Sequence, residues 1–236
     1  MSSPVRIGVL DSGVCQIHLH IGKVVDGITI TAEGTMPGYE DTLGHGTAVA
    51  AIIHHLNPEA DLVAVKIFDR KLATSLPVVI RAIDWCSQHD IQVINLSLGT
   101  LNPEHRSAFE QAIVRAQAAG AVIVSALEIN GAPALPGSLA DVIGVMASDT
   151  DEYQVSDGYG KKIFTAPPFP RGIPGVPRER NLSGVSFAVA RISARIASAI
   201  SENVRDKKSD KNWTGAPCSP ERTWAEKRWP KAHDCF

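Results

Sequence analysis

The chain contains few cysteines and no long apolar run, and each shortage excludes a class of protein. Four cysteines among 236 residues, none in a Cys-x-x-Cys pair, supply neither a disulfide framework nor the ligand spacing of a zinc site. No segment approaches the roughly 18 consecutive apolar residues that a membrane-spanning helix needs. Residues 1–4 lead directly into the first apolar run and leave no room for the apolar segment of a signal peptide. We therefore expect a reduced chain that acts in the cytoplasm.

The chain also lacks an excess of charge of either sign. It has 23 Lys and Arg against 25 Asp and Glu, which gives a net charge of −2 at pH 7. Nucleic acids and anionic membranes attract proteins through clustered positive charge, and the sequence contains no long basic run. We therefore expect neither of them as a partner. The hydrophobic content of 44% is sufficient for one substantial core, and the sequence leaves the oligomeric state open.

Apolar runs and helical patterns alternate along most of the chain. The apolar runs lie at 5–10, 62–67, 92–98, 121–126 and 141–147, and the helical patterns at 45–56, 76–89, 103–119 and 186–200. Such alternation is typical of a parallel α/β sheet with helices on both faces. Five prolines between residues 166 and 177 predict an extended loop before the last helix.

We predict two parts of different character, a folded domain over residues 1–202 and a polar C-terminal tail over residues 203–236. Beyond residue 201 charged residues dominate and the apolar periodicity ends. The tail also holds three tryptophans and two cysteines, which distinguishes it from a purely disordered segment: Trp213, Trp224, Trp229, Cys218 and Cys235. The two cysteines could pair, although a reducing compartment favours free thiols.

Three short motifs place an aspartate, a histidine and a serine in the chain in that order. They are Val9-Leu10-Asp11-Ser12-Gly13, Gly44-His45-Gly46-Thr47 and Ser183-Gly184-Val185-Ser186-Phe187-Ala188. Asp11 ends an apolar run, at the edge of the sheet where α/β proteins gather functional groups. His45 and Ser186 each begin a predicted helix. Taken singly, the motifs are typical of a turn, a loop and a helix cap, whereas together they indicate the catalytic triad of a serine hydrolase.

With these motifs, the chain resembles the subtilisin-like serine proteases over roughly residues 5–200, and the order Asp, His, Ser is the one found in subtilisin. The resemblance implies an α/β, three-layer subtilisin-like fold with a mostly parallel sheet and helices on both faces. It also implies a serine endopeptidase that acts on peptide or protein substrates without a cofactor. In that enzyme Asp11 would orient His45, and His45 would take the proton of Ser186.

One apolar run carries the resemblance to the substrate-binding strand of the family. This run is Val93-Ile94-Asn95-Leu96-Ser97-Leu98-Gly99. In the family, the backbone of the stretch that matches Ser97, Leu98 and Gly99 pairs with the peptide substrate, as in strand addition. Because such pairing binds the main chain, it tolerates many substrate sequences.

The serine motif and the oxyanion site depart from the pattern of the family. Val185 and Ala190 stand where the family normally has threonine and proline. The oxyanion asparagine of the family matches Asn130 only after a shift of about one residue, and the dipeptide Asn130-Gly131 is also explained by a plain turn. If the shift holds, Glu128 borders the first substrate pocket and favours Lys or Arg before the cleaved bond.

The compact form of the fold, without a propeptide, suggests a processing protease that removes a leader from a small peptide. Two other functions stay open. The departures at Val185 and Ala190 are compatible with a degenerate module that only binds peptides. Acyl transfer to an amine, as in peptide cyclisation, needs the same triad and differs only in the exclusion of water.

We predict no metal site. In the resembling family a tight calcium ion commonly binds in the link between the histidine helix and the next strand. Here the link, Leu56-Asn57-Pro58-Glu59-Ala60-Asp61-Leu62, is too short for the roughly six to eight oxygen ligands that calcium needs. Helix termination before Pro58 is the simpler role for its polar residues.

Overall fold

The computed structural model describes residues 3–148, 150, 152–172, 174–177 and 180–209, with residues 205–209 described by backbone alone. The strands are β1 Arg6–Asp11, β2 Val24–Ile30, β3 Thr35–Met36, β4 Asp61–Lys66, β5 Val93–Leu96, β6 Val122–Ala126, β7 Glu128–Ile129, β8 Ala132–Pro133, β9 Ile143–Ala147, β10 Gln154–Gly158 and β11 Lys161–Ala166. The helices are α1 His45–Leu56, α2 Leu76–Gln88, α3 Arg106–Ala118 and α4 Val185–Ser209, with a 3₁₀ turn at Pro103–His105.

One nine-stranded sheet organises the fold, in the order β10-β11-β9-β6-β5-β1-β4-β2-β3. All pairs from β11 to β2 are parallel, and only the outermost pairs, β10 with β11 and β2 with β3, are antiparallel. The predicted mostly parallel sheet is therefore confirmed. Because parallel strands end at a common edge, β1 and β5 deliver Asp11 and the segment after Leu96 to the same side of the molecule.

Both faces of the sheet are covered, each by one pair of helices. On one face α1 and α4 pack together, with a buried stripe that includes Val49, Ile52, Ile53, Phe187, Val189, Ile192 and Ile196. On the other face α2 and α3 bury Val78, Val79, Ile83, Phe109 and Ile113. This is the predicted three-layer arrangement, and the helical spacing of the apolar residues produces it.

The C-terminal helix α4 continues to Ser209, beyond the boundary predicted at residue 202. The remaining predicted tail, with its tryptophans and its cysteines Cys218 and Cys235, lies outside the described residues. Among the helices of the described part, none is long and apolar enough to cross a membrane.

Candidate active site

Asp11 and His45 form a close pair at the carboxyl edge of the sheet. Asp11 is the last residue of β1 and is fully buried, and His45 is the first residue of α1. The Nδ1 atom of His45 lies 2.8 Å from Oδ1 of Asp11. An ionised carboxylate only accepts hydrogen bonds, so Nδ1 carries the proton of this contact and Nε2 is left as the acceptor. The structure thus brings the two predicted residues into contact, and the role of Asp11 in orienting His45 stays a prediction.

The turn that carries His45 packs directly against the turn after β1. A Cβ atom on Gly46 would lie 2.2 Å from the carbonyl oxygen of Gly13, so only glycine fits at this position. The backbone N–H of Gly46 donates to the hydroxyl of Ser12 at 2.9 Å. The Gly-His-Gly motif thus allows the close approach that brings His45 to Asp11.

Asp41, which the sequence reasoning did not single out, holds the two turns together. Its Oδ1 accepts hydrogen bonds from the hydroxyl of Ser12 at 2.8 Å and from the N–H groups of Leu43 at 2.9 Å and Gly44 at 2.8 Å. Its Oδ2 accepts from the N–H of Thr47 at 2.8 Å and from the Thr47 hydroxyl at 2.6 Å. Asp41 therefore joins the residue after Asp11 to the residues on both sides of His45. An aspartate three residues before the Gly-His-Gly motif was the available sequence signal.

Charge and burial act in opposite directions on these groups. Burial alone would lower the pKa of His45, but the hydrogen bond with Asp11 and the charges of Asp11 and Asp41 raise it above its ordinary value. Burial would raise the pKa of Asp41, yet its hydrogen bonds to Thr47, Leu43 and Ser12 lower it. Asp41 thus stays ionised near neutral pH, while the imidazolium form of His45 is stabilised.

Ser186 is the second residue of α4, one residue before an aromatic ring that lies near His45. The ring of the next residue, Phe187, is centred 5.5 Å from the ring of His45. The Ser186 hydroxyl donates to the carbonyl oxygen of Ser97 at 3.4 Å, and among the described residues it makes no hydrogen bond to His45. Hydroxyl rotamers change within nanoseconds, and the hydrogen bonds of a nucleophile are often loose before substrate binds. The Ser186 hydroxyl is thus turned toward the predicted substrate strand, and its role as the nucleophile stays a prediction.

Buried polar contacts connect that strand to α4. The Asn95 side chain donates to the Ser97 hydroxyl at 2.9 Å and accepts at 3.0 Å from the hydroxyl of Ser193, which lies two helical turns after Ser186 on the same face of α4. The Ser125 hydroxyl donates to the carbonyl oxygen of Leu98 at 3.0 Å. These bonds fix the segment Ser97, Leu98 and Gly99 relative to the nucleophile without using its outward edge.

Asn130 occupies the tip of the short hairpin formed by β7 and β8. Asn130 and Gly131 are exposed and have φ values of 52° and 77°, as in the two-residue hairpin turns that favour Asn-Gly. The turn explanation left open by the sequence therefore describes the local conformation. The role of Asn130 as an oxyanion donor stays a prediction, and the backbone N–H groups of Val185 and Ser186 in the first turn of α4 are further candidate donors.

Lys161 stabilises the loop between the hairpin and β9. Its ammonium group donates to the carbonyl oxygens of Gly137 and Leu139 at 2.6 Å and of Val142 at 2.7 Å. Burial lowers the pKa of Lys161 to about 8, with the charge of Asp141 opposing the shift. The lysine therefore ties β11 to the segment that leads into β9.

The link between α1 and β4 is a tight turn. The Asn57 side chain donates inward to the carbonyl oxygen of Ala194 at 3.4 Å, and the N–H of Ala60 donates to the carbonyl oxygen of Asn57 at 3.3 Å. Asn57 therefore joins α1 to α4. Within the described residues, no group of three or more His, Cys, Asp or Glu side chains is placed to hold a metal ion.

Solved structures with the same architecture include two peptide-processing enzymes. The Prenylagaramide maturation protease PagA superposes with a TM-score of 0.67 at 25% identity, and the alignment covers 94% of this chain and 87% of that one. A lanthipeptide protease superposes with a TM-score of 0.69 at 19% identity over 86% of this chain and 75% of that one. The second likeness concerns the fold alone.

Sequence comparison finds proteases among the relatives of this chain. A thermostable alkaline protease of Halalkalibacterium halodurans is 34% identical over 175 residues, which cover 69% of this chain and 47% of the relative. Subtilisin DY of Bacillus licheniformis is 29% identical over 167 residues, 64% of this chain and 59% of the relative. The chain thus spans about half the length of these curated relatives. The family model described as the subtilase family, Peptidase_S8, matches residues 2–214, and the chain therefore belongs to the subtilase family.

Proposed function

We propose that the protein is a serine endopeptidase. The observation that carries the proposal is the 2.8 Å contact between Asp11 and His45, in the orientation that makes Nε2 of the histidine a base, with Ser186 on the adjoining helix start. General-base catalysis by a triad uses a histidine whose pKa is raised by a buried carboxylate, whereas a module that only binds peptides does not require this pair.

The reaction begins when a peptide lies along Ser97 to Gly99 and its carbonyl group reaches Ser186. His45 takes the proton of the Ser186 hydroxyl as the oxygen attacks the carbonyl carbon. The negative charge that develops on the carbonyl oxygen is held by N–H groups at the start of α4 and by Asn130. His45 then protonates the departing amine, and the C-terminal part of the substrate leaves.

The second half of the reaction repeats these steps with water. His45 takes a proton from a water molecule, the hydroxide attacks the acyl-enzyme, and Ser186 leaves with a proton from His45. Asp11 and Asp41 stabilise the imidazolium form in both halves, since their charges act to raise the pKa of His45. No step needs a cofactor.

The narrower proposal is a processing protease that removes a leader from a small peptide and acts in the cytoplasm. The support is the likeness to PagA, whose name describes it as a maturation protease, over 94% of this chain. The strand from Ser97 to Gly99 would pair with the main chain of the substrate, and such pairing is compatible with substrates of varied sequence. Acyl transfer stays the second candidate, because maturation of a peptide can also end in cyclisation with the same triad.

Covalent labelling with a fluorophosphonate, followed by mass spectrometry of tryptic peptides, tests the nucleophile. We expect the added mass on Ser186 of the wild-type chain and no added mass in Ser186→Ala. A folded wild-type chain that resists the probe would instead support a peptide-binding module. Turnover in H₂¹⁸O separates the two reactions, since hydrolysis adds the label to the new carboxylate and transfer to an amine does not.

A further inference from the structure

The space over Gly99, in the predicted substrate strand, is filled by two side chains of the neighbouring hairpin. A Cβ atom built on Gly99 would lie 3.2 Å from Cδ1 of Ile129 and 3.2 Å from Cβ of Ala134. These distances are shorter than ordinary carbon contacts, so even a methyl group at residue 99 would have to displace its neighbours. The face of Gly99 is therefore closed by Ile129 and Ala134.

The register of the hairpin explains why these two residues meet Gly99. Ile129 pairs with Ala132, and the N–H of Ala134 donates to the carbonyl oxygen of Leu127 at 2.9 Å. Side chains alternate along a strand, so Ile129 and Ala134 lie on the same face of the hairpin. Glu128 lies on the opposite face, which places its carboxylate away from Gly99. This arrangement argues against the charged first pocket that the sequence suggested.

The geometry of strand pairing shows which substrate residue faces this closed space. The Ser186 hydroxyl lies 3.4 Å from the carbonyl oxygen of Ser97, and the attacked carbon must come within about 3.5 Å of that hydroxyl. In a peptide antiparallel to the strand, the residue before the cleaved bond then lies opposite Ser97. Its side chain shares the face of Ser97 and, two residues on, of Gly99.

A short side chain at that substrate position ends before it reaches Gly99, because diagonal neighbours in a ladder are about 7 Å apart. A long or aromatic side chain reaches that far and meets Ile129 and Ala134. We propose that Ile129 and Ala134 close the subsite for the residue before the cleaved bond, so that the enzyme cleaves after glycine, alanine or serine. This inference rests on the proposed peptidase function.

The experiment compares Ile129→Ala with the control Glu128→Ala, a truncation on the opposite face of the same two-residue strand. Peptides that differ only in Ala, Leu, Phe or Lys before the cleaved bond give kcat/KM for each chain. We expect the wild type to prefer Ala over Phe by 100-fold or more, since even one methylene in a pocket is worth about 10- to 200-fold. Ile129→Ala should reduce this preference at least tenfold, and Glu128→Ala should leave it unchanged.

A second measurement does not depend on turnover. Peptidyl phosphonates with Ala or Phe next to the phosphorus label an active serine, and the labelling rates of Ser186 should show the same preference and the same loss of preference in Ile129→Ala. Equal rates for Ala and Phe in the wild type, or a preference for Lys, would overturn the inference while the peptidase assignment stood. Failure of every phosphonate to label any folded chain would overturn the peptidase assignment and the inference together. Circular dichroism melting curves confirm that each variant is folded.

Discussion

The histidine side and the hairpin side of the candidate site are held in different ways. On the histidine side Asp11 is fully buried, and Asp41 accepts five hydrogen bonds from the turns around it. On the hairpin side Asn130 stands exposed on a two-residue turn, and apolar contacts of Ile129 set the shape of the surface. Charge-assisted hydrogen bonds fix the direction of a side chain, whereas apolar packing fixes only the volume that the side chain fills. The comparison teaches that charged hydrogen bonds hold the histidine in one direction, whereas the shape of the hairpin side depends on the size of an apolar side chain.

The largest effect is expected from the groups that transfer the proton and attack the carbonyl. Ser186→Ala or His45→Ala should abolish peptidase turnover, with a loss on the order of 10⁶-fold, which is the value known for subtilisin itself. Neither change removes a large buried side chain, so the far-ultraviolet circular dichroism should match the wild type. Cleavage of a peptide library by Ser186→Ala at the wild-type rate would show that another residue is the nucleophile.

The hairpin side is tested next by Asn130→Ala. If Asn130 donates to the oxyanion, kcat should fall by roughly 10²- to 10³-fold with little change in KM, as for the lost oxyanion donor of subtilisin. Steady-state kinetics on one peptide measure both constants. A loss below about threefold would mean that the exposed turn is only a turn and that the α4 N–H groups hold the oxyanion without it.

The role of Asp41 on the histidine side is tested by Asp41→Asn, which keeps the shape of the side chain and removes its charge. We expect kcat/KM to fall roughly tenfold, about 1.4 kcal/mol, because the amide nitrogen of asparagine cannot accept the two bonds that Oδ2 accepts from Thr47, and the remaining oxygen is an uncharged acceptor. The pH profile gives a second readout. His45 must be neutral to act as a base, so kcat/KM falls on the acid side of the pH profile as His45 becomes protonated. Because the pKa of His45 is raised, this acid limb lies at a higher pH than the ordinary pKa of histidine would give. Without the charge of Asp41 the limb should move to lower pH.

The matched control for this variant is Asp157→Asn, which removes the same charge from an exposed position on β10. It should leave the acid limb where it is in the wild type. An equal shift of the acid limb in both variants would mean that the net charge of the protein alone moves it. An acid limb that does not shift in Asp41→Asn would mean that Asp41 has only a structural role.

The smallest effect is expected from chelation. The turn after α1 is short and its Asn57 side chain is engaged with Ala194, so it offers too few oxygens for calcium. An ion that does not bind the native state cannot stabilise it, and excess EGTA should leave the melting temperature and the activity nearly unchanged. A fall of about ten degrees that added calcium reverses would reveal a site elsewhere in the chain.

The strands buried on both faces were predictable because they read as continuous apolar runs. The edges of the sheet were not. β2 contains Asp26 and Gly27 and pairs with β4 through an irregular register, and the antiparallel pair β10 and β11 mixes polar and apolar residues without a clean period. Edge strands are half-exposed, so their sequences are under weaker apolar constraint.

By itself the sequence determined the parallel α/β architecture, the order of Asp11, His45 and Ser186, and the resemblance to the subtilisin-like serine proteases. These features are local: a motif and the apolar period around it lie within a dozen residues. Only the tertiary structure decided that Asp41 joins the turns of Asp11 and His45, and that Ile129 covers Gly99. Those contacts join segments far apart in the chain, and a one-residue change of register in the hairpin would exchange Ile129 for Glu128. The Asn130-Gly131 turn sets the register of the hairpin locally, but the pairing of Thr100 with Leu135 joins the hairpin to the segment of Gly99, and no single segment of sequence contains that pairing.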